Sequence, residues 1–124
     1  MINMKSIILD TNFIIEVLKN KIDLNGELSR ICNFPFKILV LDRIKDELDN
    51  IMEKQGGKNK ELAKLALSYI KNLGVVETKR DNVDKILIEL SKESIIATQD
   101  KQLKSRLRKP FIILKQKKIL ELIE

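Results

Sequence analysis

The sequence predicts an α/β fold with three layers, α/β/α, around a central parallel sheet of five strands. Short runs of Ile, Leu and Val alternate along the chain with longer segments that carry apolar residues at helical spacing. The first run, from Ile7 to Leu9, is apolar throughout, as is typical of a strand covered on both faces. The chain of 124 residues has no evident linker or internal repeat, so we expect a single domain over residues 1–124.

The strands of this sheet are expected at residues 7–9, 37–41, 75–78, 94–98 and 111–114. A helix that is apolar nearly all round begins near Phe13, and a short helix with Asp23 as its N-cap follows it. Asp42 is expected to cap the helix after the second strand. The glycine pair in residues 55–58 indicates a loop, and the pattern then predicts a helix over 60–72 with Leu65 on its apolar stripe and Gly74 as its C-cap.

The second half of the chain continues the alternation of helices and strands. Asp81 or Asn82 is expected to cap a helix before the fourth strand, and Asp100 to start a helix that Pro110 ends. The tail carries four apolar residues at helical spacing, Ile119, Leu120, Leu122 and Ile123, that pack on this domain or on a partner chain. We therefore expect a homodimer.

Composition restricts the chemistry open to this chain. It has no histidine, which excludes imidazole bases and the usual zinc sites, so catalysis has to use carboxylates, lysine or a metal held by oxygen. The net charge of +6 fits either a polyanion-binding protein or a lysine-rich soluble surface. The single Cys32, which we expect in the core, cannot form a disulfide within the chain. With no membrane-spanning run and no signal peptide at residues 1–4, we expect a cytoplasmic protein without a membrane partner.

Four acidic residues stand out by position. Asp10 directly follows the first strand and Asp100 the fourth, and each is either a helix N-cap or a ligand at the carboxyl edge of the sheet. Glu47 lies at the edge of an apolar helix stripe, either as a residue held at the core boundary or as one whose carboxylate reaches solvent. Asp84 lies one turn before Ile88, on the same line of its helix. It is either a ligand or an acid of the first turn that interacts favourably with the helix dipole.

Four carboxylates at one sheet edge repel one another unless a cation lies between them. Hard oxygen ligands prefer Mg²⁺ or Mn²⁺, and such ions activate water for the hydrolysis of phosphodiesters. Beside this edge, Lys101, Lys104 and Arg108 fall on one side of the predicted helix. This side either holds a nucleic-acid backbone or is a solvated face.

Residues 8–12, 40–48, 83–86 and 97–103, in this order and spacing, resemble a PIN-domain ribonuclease. The compact size of the chain and the sequence of residues 98–107 are similar to those of archaeal PIN proteins related to ribosomal-RNA-processing nucleases. VapC toxins share the fold. The resemblance implies an endoribonuclease that uses Mg²⁺ or Mn²⁺ and acts on RNA, with an antitoxin or a ribosome-processing factor as partner. The implied metal ligands and catalytic residues are Asp10, Glu47, Asp84 and Asp100, and the implied polar supports are Asn12 and Thr98. Related sequences often carry two acids where this chain has Val83-Asp84. The loss of one carboxylate would weaken the binding of a second metal ion or leave a single-metal enzyme.

The sequence also has features of three other classes of protein. A haloacid-dehalogenase-type phosphatase needs a second Asp where this chain has Asn12, and a response-regulator receiver needs an acid after the third strand, where this chain has Lys79. Both fit worse than a nuclease. A catalytically inactive RNA-binding scaffold of the same fold stays open, although the four acids argue against it.

Overall fold

A computed structural model describes residues 4–79 and 81–124 of the chain. The start of the chain, where no signal peptide is expected, lies largely outside these residues. The strands are β1 (Lys5–Leu9), β2 (Phe36–Leu41), β3 (Gly74–Val76), β4 (Ile95–Ala97), β5 (Phe111–Lys115) and β6 (Ile119–Ile123). The helices are α1 (Thr11–Lys19), α2 (Leu24–Ile31), α3 (Ile44–Lys54), α4 (Lys58–Ile70), α5 (Val83–Leu90) and α6 (Lys101–Lys104).

The strands form one sheet in the order β3-β2-β1-β4-β5-β6, in which the first five are parallel. Because β1 lies at the centre and its neighbours point the same way, the carboxyl ends of β1, β2, β3, β4 and β5 share one edge. Side chains alternate between two buried clusters. Ile7 and Leu9 join Phe13 of α1 on one face, whereas Ile8 joins Leu87 of α5 and Leu103 of α6 on the other. The predicted three-layer α/β/α class is confirmed.

The five predicted parallel strands are all present, but the helical spacing read in the tail is misleading, because the tail forms a sixth strand. β6 runs antiparallel to β5, with Leu114 opposite Leu120 and Ile112 opposite Leu122. A five-residue apolar segment satisfies helical spacing and strand pairing about equally well, and the free edge of β5 decides between them here. The tail thus pairs within its own chain, which removes the argument for a homodimer, and the dimer stays a prediction.

Two predicted caps are also wrong. Gly74 does not end α4 but opens β3, opposite Leu39 of β2, where a Cβ would collide with the Leu39 side chain. Asp42 does not cap α3, since its carboxylate accepts hydrogen bonds from the N–H (3.1 Å) and the hydroxyl (2.6 Å) of Thr78 in the β3–α5 loop. Leu65, expected on the apolar stripe of α4, is 56% exposed. Asp23 caps α2 as predicted, and Cys32 is buried.

The outer edge of β6 is covered by two side chains of α2. The Leu120 N–H donates to Glu27 Oε1 (2.9 Å), and Arg30 Nη2 donates to the Leu120 carbonyl (2.7 Å). Glu27 and Arg30 also form an ion pair at 3.0 Å. Together they take the place of a neighbouring strand at one residue of an edge that would otherwise be open to another chain.

We expect Glu27→Ala to lower the free energy of unfolding by about 1 kcal/mol, because the Leu120 N–H loses its acceptor. The matched control is Glu61→Ala, which breaks an exposed ion pair between Glu61 and Lys64 but touches no strand, and should change stability very little. Urea unfolding of both variants measures the difference. Equal losses would mean that the bond to β6 contributes nothing.

Candidate active site

Asp10 lies at the end of the central strand and is held on both carboxylate oxygens. Oδ1 accepts the N–H of Thr11 at 2.8 Å, and Oδ2 accepts the hydroxyl of Thr98 at 2.8 Å. The two roles considered for Asp10 are therefore compatible, because it is the N-cap of α1 and still faces the edge of the sheet. Burial raises its pKa, the hydrogen bonds from Thr98 and Thr11 act against this, and the charges of Asp84 and Asp100 raise it further.

Thr98 joins two of the acidic residues. Its side chain is fully buried, and its hydroxyl donates to Asp10 while accepting the backbone N–H of Asp100 at 3.1 Å. The Thr98 N–H in turn donates to the carbonyl of Ile112 in β5. Asp100 Oδ1 accepts the N–H of Leu103 at 3.0 Å and so caps α6 as predicted. The strand ends of β1 and β4 are thus fixed to each other at their acids.

Glu47 reaches the same region from α3. It is half-buried, and burial is the main reason that its pKa is raised; the Thr11 hydroxyl and the Arg43 guanidinium lower it, whereas the charges of Asp10 and Asp84 raise it. Glu47, Asp10 and Thr11 line a narrow crevice together with apolar residues of β1, β2, α3 and α5. Glu47 therefore lies half-buried at the core boundary, close enough to Asp10 and Asp84 for their charges to raise its pKa.

Asp84 stands in the first turn of α5, where Asn82 is the N-cap. Asn82 Oδ1 accepts the N–H groups of Asp84 (2.9 Å) and Lys85 (3.3 Å), which decides between Asp81 and Asn82 as the cap. Asp84 is near enough to Asp10 and Glu47 for its charge to raise the pKa of both. The structure thus brings all four predicted acids to one edge, although no three acidic side chains in residues 4–79 and 81–124 already form a metal-binding cluster.

The remaining predicted residues differ in position. Asn12 is exposed in the first turn of α1, beside Asp10, and its side chain forms no hydrogen bond within the described ranges. Lys101 is exposed at the start of α6 and Lys104 ends it. Arg108 does not share their helical side, because α6 stops at Lys104; the Arg108 N–H donates to Ser91 Oγ near the amino end of β4, at the opposite edge of the sheet.

Sequence reasoning missed the residues that link the acid-bearing elements. Arg43 donates a hydrogen bond from Nη1 to the carbonyl of Asp81, and Asp42 binds Thr78, so that both tie the start of α3 to the loop before α5. These bonds set the helices of Glu47 and Asp84 against each other. Nothing in the sequence marks them, since Asp42 fits an ordinary N-cap and Thr78 an ordinary loop residue.

Comparison with known proteins agrees with the predicted fold and family. The family model described as a PIN-like domain matches residues 7–117. Ribonuclease VapC4 of Methanocaldococcus jannaschii is 37% identical over 127 aligned residues, covering 96% of this chain and 97% of that protein. Ribonuclease VapC9 of Archaeoglobus fulgidus is 34% identical over 102 aligned residues, covering 80% and 73%. The solved structure of the PIN domain endonuclease Utp24 superposes with a TM-score of 0.70 at 26% identity, covering 94% of this chain and 90% of that one.

The fold is that of a PIN-like domain. This chain belongs to the PIN-like domain family, since the family model covers most of its length. The resemblance to PIN-domain ribonucleases inferred from the sequence is confirmed. No helix in the described part of the chain is long and apolar enough to cross a membrane.

We expect Thr98→Val to lower the free energy of unfolding by about 1–3 kcal/mol, because it leaves the half-buried Asp100 N–H and one Asp10 oxygen without partners. Thr98→Ser keeps the hydroxyl and should lose much less. Chemical denaturation of both variants is the measurement. If Thr98→Val and Thr98→Ser lose equal stability, the loss reflects the packing of the methyl group.

A second prediction concerns pH. The bonds from Thr78 hold the pKa of Asp42 below its ordinary value of 3.8, so the carboxyl binds fewer protons folded than unfolded. Its contribution is therefore present above the unfolded pKa and is lost as pH falls through the folded value. Thr78→Val should lower Tm at about pH 7 and lower it less at about pH 3. Thermal melts at both pH values test this, with Thr78→Ser as control, and a difference independent of pH would contradict it.

Proposed function

We propose that this chain is a PIN-domain endoribonuclease that hydrolyses phosphodiester bonds in RNA at the edge formed by Asp10, Glu47, Asp84 and Asp100. The convergence of four carboxylates from β1, α3, α5 and the β4–α6 turn is the observation that carries the proposal. Two relatives that carry the name ribonuclease match 96% and 80% of this chain and support the reaction class.

The acids are costly to the fold, which argues for a functional role. Burial and mutual repulsion both raise the pKa of Asp10 and of Glu47, so the ionised forms are disfavoured where they stand. Carboxylates placed only for stability normally gain a cation or enough donors to lower their pKa, as Asp42 does. Groups that are perturbed together at the open edge of a sheet are typical of an active site.

The donor set at this edge suits a divalent cation, and we propose dependence on Mg²⁺ or Mn²⁺. The four acids offer hard oxygen ligands without histidine or cysteine, which is the chemistry that these ions prefer. Asp10, Glu47, Asp84 and Asp100 would hold the ion. Such a cation would stabilise the negative charge of the phosphate. It would also lower the pKa of a water molecule, which makes water nucleophilic at neutral pH.

The chain's own residues orient this site. Thr98 fixes Asp10 relative to Asp100, and Thr11 lies between Asp10 and Glu47. Arg43 is a cation close to Glu47 and offsets part of its charge. Asn12, exposed beside Asp10, is placed to contact RNA or an attacking water rather than another side chain.

Of the two biological roles that the sequence suggested, we favour the VapC type. The two archaeal relatives are both named ribonuclease VapC, and one of them covers the chain end to end. A VapC-type ribonuclease implies an antitoxin as partner. A role in ribosomal RNA processing and a cytoplasmic location stay predictions. Growth arrest on expression that a neighbouring gene relieves would support the VapC type, and arrest-free expression would contradict it.

We expect Asp10→Asn and Glu47→Gln each to reduce RNA cleavage in the presence of Mn²⁺ on the order of a hundredfold or more, because each removes a ligand charge. Asp49→Asn, on the exposed side of the same helix as Glu47, should leave cleavage unchanged. Gel assays on labelled single-stranded RNA measure the rates, and calorimetric titration with Mn²⁺ measures ion binding separately.

Wild-type protein that neither cuts RNA nor binds Mn²⁺ would reject the proposal. Wild-type protein that binds RNA but cuts none with either ion would indicate the inactive scaffold instead. Equal loss in Asp49→Asn and Glu47→Gln would mean that overall charge, and not this site, governs cleavage.

A further inference from the structure

The turn between β5 and β6 carries three lysines in four residues, 115–118, and we call it the lysine turn. The Lys118 N–H donates to the carbonyl of Lys115 at 3.1 Å, which closes a β-turn. Its two central residues, Gln116 (φ 54°) and Lys117 (φ 58°), both have left-handed backbone, as in the type I′ turn of tight hairpins.

This backbone does not match its residue types. Left-handed conformation at both central positions favours Gly, which has no Cβ, and Asn, whose short side chain can hydrogen-bond to the local backbone, whereas Gln and Lys have neither property. The turn is exposed, and no side chain of Gln116 or Lys117 makes a hydrogen bond in the described parts of the chain that would fix the conformation. Strained backbone of this kind clusters at functional sites, so the position and the charge of the turn decide whether it has a function.

The lysine turn projects from the edge that carries the acids. Ala97 of β4 is opposite both Leu9 of β1 and Ile112 of β5, so Asp10 lies one residue beyond this level and Lys115 three. The tip of the turn therefore rises about 10 Å above Asp10 and stands two strands, about 10 Å, to one side. Both distances are within the reach of one short stretch of RNA.

A side chain from the active-site loop holds the base of the hairpin. Gln99 Nε2 donates to the carbonyl of Leu114 (3.1 Å), and the Leu114 N–H donates to Gln99 Oε1 (2.7 Å). Gln99 lies between Thr98 and Asp100, so the loop that orients two acids also fixes the strand leading into the turn. The position of the lysine turn relative to the acids is thus set by direct bonds.

The three lysines of the turn differ in whether they form an ion pair. Lys115 pairs with Glu121 across the hairpin at 3.6 Å, whereas Lys117 and Lys118 are exposed and form no ion pair among residues 4–79 and 81–124. An RNA backbone that approaches four carboxylates meets repulsion. Ammonium groups just above the same edge offset it, since phosphate contacts by lysine supply sequence-independent affinity.

We propose that Lys117 and Lys118 bind the phosphate backbone of the RNA substrate and hold it over the acidic edge. This inference rests on the proposed function for the identity of the ligand. A lysine bound to phosphate carries no sequence information, so the turn acts on affinity for all RNA rather than on the choice of cleavage site.

The test compares RNA binding by two matched double variants in an Asp10→Asn background, where cleavage does not interfere. Lys117→Gln with Lys118→Gln should weaken binding of several unrelated single-stranded RNAs by a similar factor, on the order of tenfold at about 0.1 M salt. The slope of log affinity against log salt should become shallower by about 0.7 for each lost contact. Fluorescence anisotropy of labelled RNA measures both.

The control is Lys5→Gln with Lys37→Gln, which removes the same charge from exposed positions near the amino ends of β1 and β2, at the opposite edge. It should leave affinity and salt slope nearly unchanged. Equal weakening by both pairs would attribute binding to net charge, and unchanged binding in the lysine-turn pair would overturn the inference. Undetectable RNA binding by the parent protein would also overturn it.

A single variant separates this role from a structural one. Lys117→Gly relieves the left-handed backbone and should raise Tm, yet it removes an ammonium and should weaken RNA binding. A lower Tm together with weaker RNA binding would indicate that the turn only supports the fold.

A competition experiment tests whether the turn prefers RNA to an acidic protein segment. Polyglutamate should displace labelled RNA poorly. If polyglutamate competes as well as unlabelled RNA does, the turn is a surface for an acidic protein segment and the inference is overturned.

Failure of this inference and failure of the proposed function would give different experimental results. If wild-type protein cuts RNA and the lysine-turn variant binds RNA as the parent does, only the turn is wrongly assigned. If wild-type protein cuts no RNA but the variant loses RNA affinity with the predicted salt slope, the turn is confirmed and the nuclease is not.

Discussion

The hydrogen bond from the Thr98 hydroxyl to Asp10 is the contact on which the acidic edge depends. It joins the ends of the two strands at the centre of the sheet, and the same oxygen accepts the Asp100 N–H. Parallel pairing of β1 with β4 puts these residues at one level, because Leu9 is opposite Ala97. A buried hydroxyl with two partners then turns that shared level into a fixed distance between carboxylates.

Around this contact, hydrogen bonds between neighbouring segments bring the acids together, and Arg43 offsets part of the charge of Glu47. Glu47 arrives on α3 and Asp84 on α5, and both helices are tied together away from the acids by Asp42 with Thr78 and by Arg43 with the Asp81 carbonyl. These bonds lie in the segments just before α3 and α5, so they bring Glu47 and Asp84 together without binding either carboxylate. Burial is the main reason that the pKa of Asp10 and of Glu47 is raised, and the charges of the neighbouring acids raise it further.

The sequence predicted what depends on local pattern and missed what depends on pairing across the chain. Asp23 caps its helix as expected, and Asp10 and Asp100, each predicted as either a cap or a ligand, cap theirs as well, because each is followed directly by a helical pattern. Asp42 is followed by the same pattern, but its carboxylate accepts a hydrogen bond from the hydroxyl of Thr78, which is distant in sequence. The strand β6 was missed for a similar reason, since only the free edge of β5 and the Glu27–Arg30 pair make an extended tail preferable.

The proposed site therefore has two parts of opposite charge, and each costs stability. The acids repel one another, although hydrogen bonds and the charge of Arg43 offset part of this, and the lysine turn keeps two side chains on unfavourable backbone. Gln99 connects the parts, because its amide pairs with both backbone groups of Leu114 while its neighbours orient Asp10 and Asp100. A ligand that carries regularly spaced negative charge and also reaches the acids satisfies both parts at once. Nucleic-acid backbone has that property, whereas a small anion could satisfy only one of them.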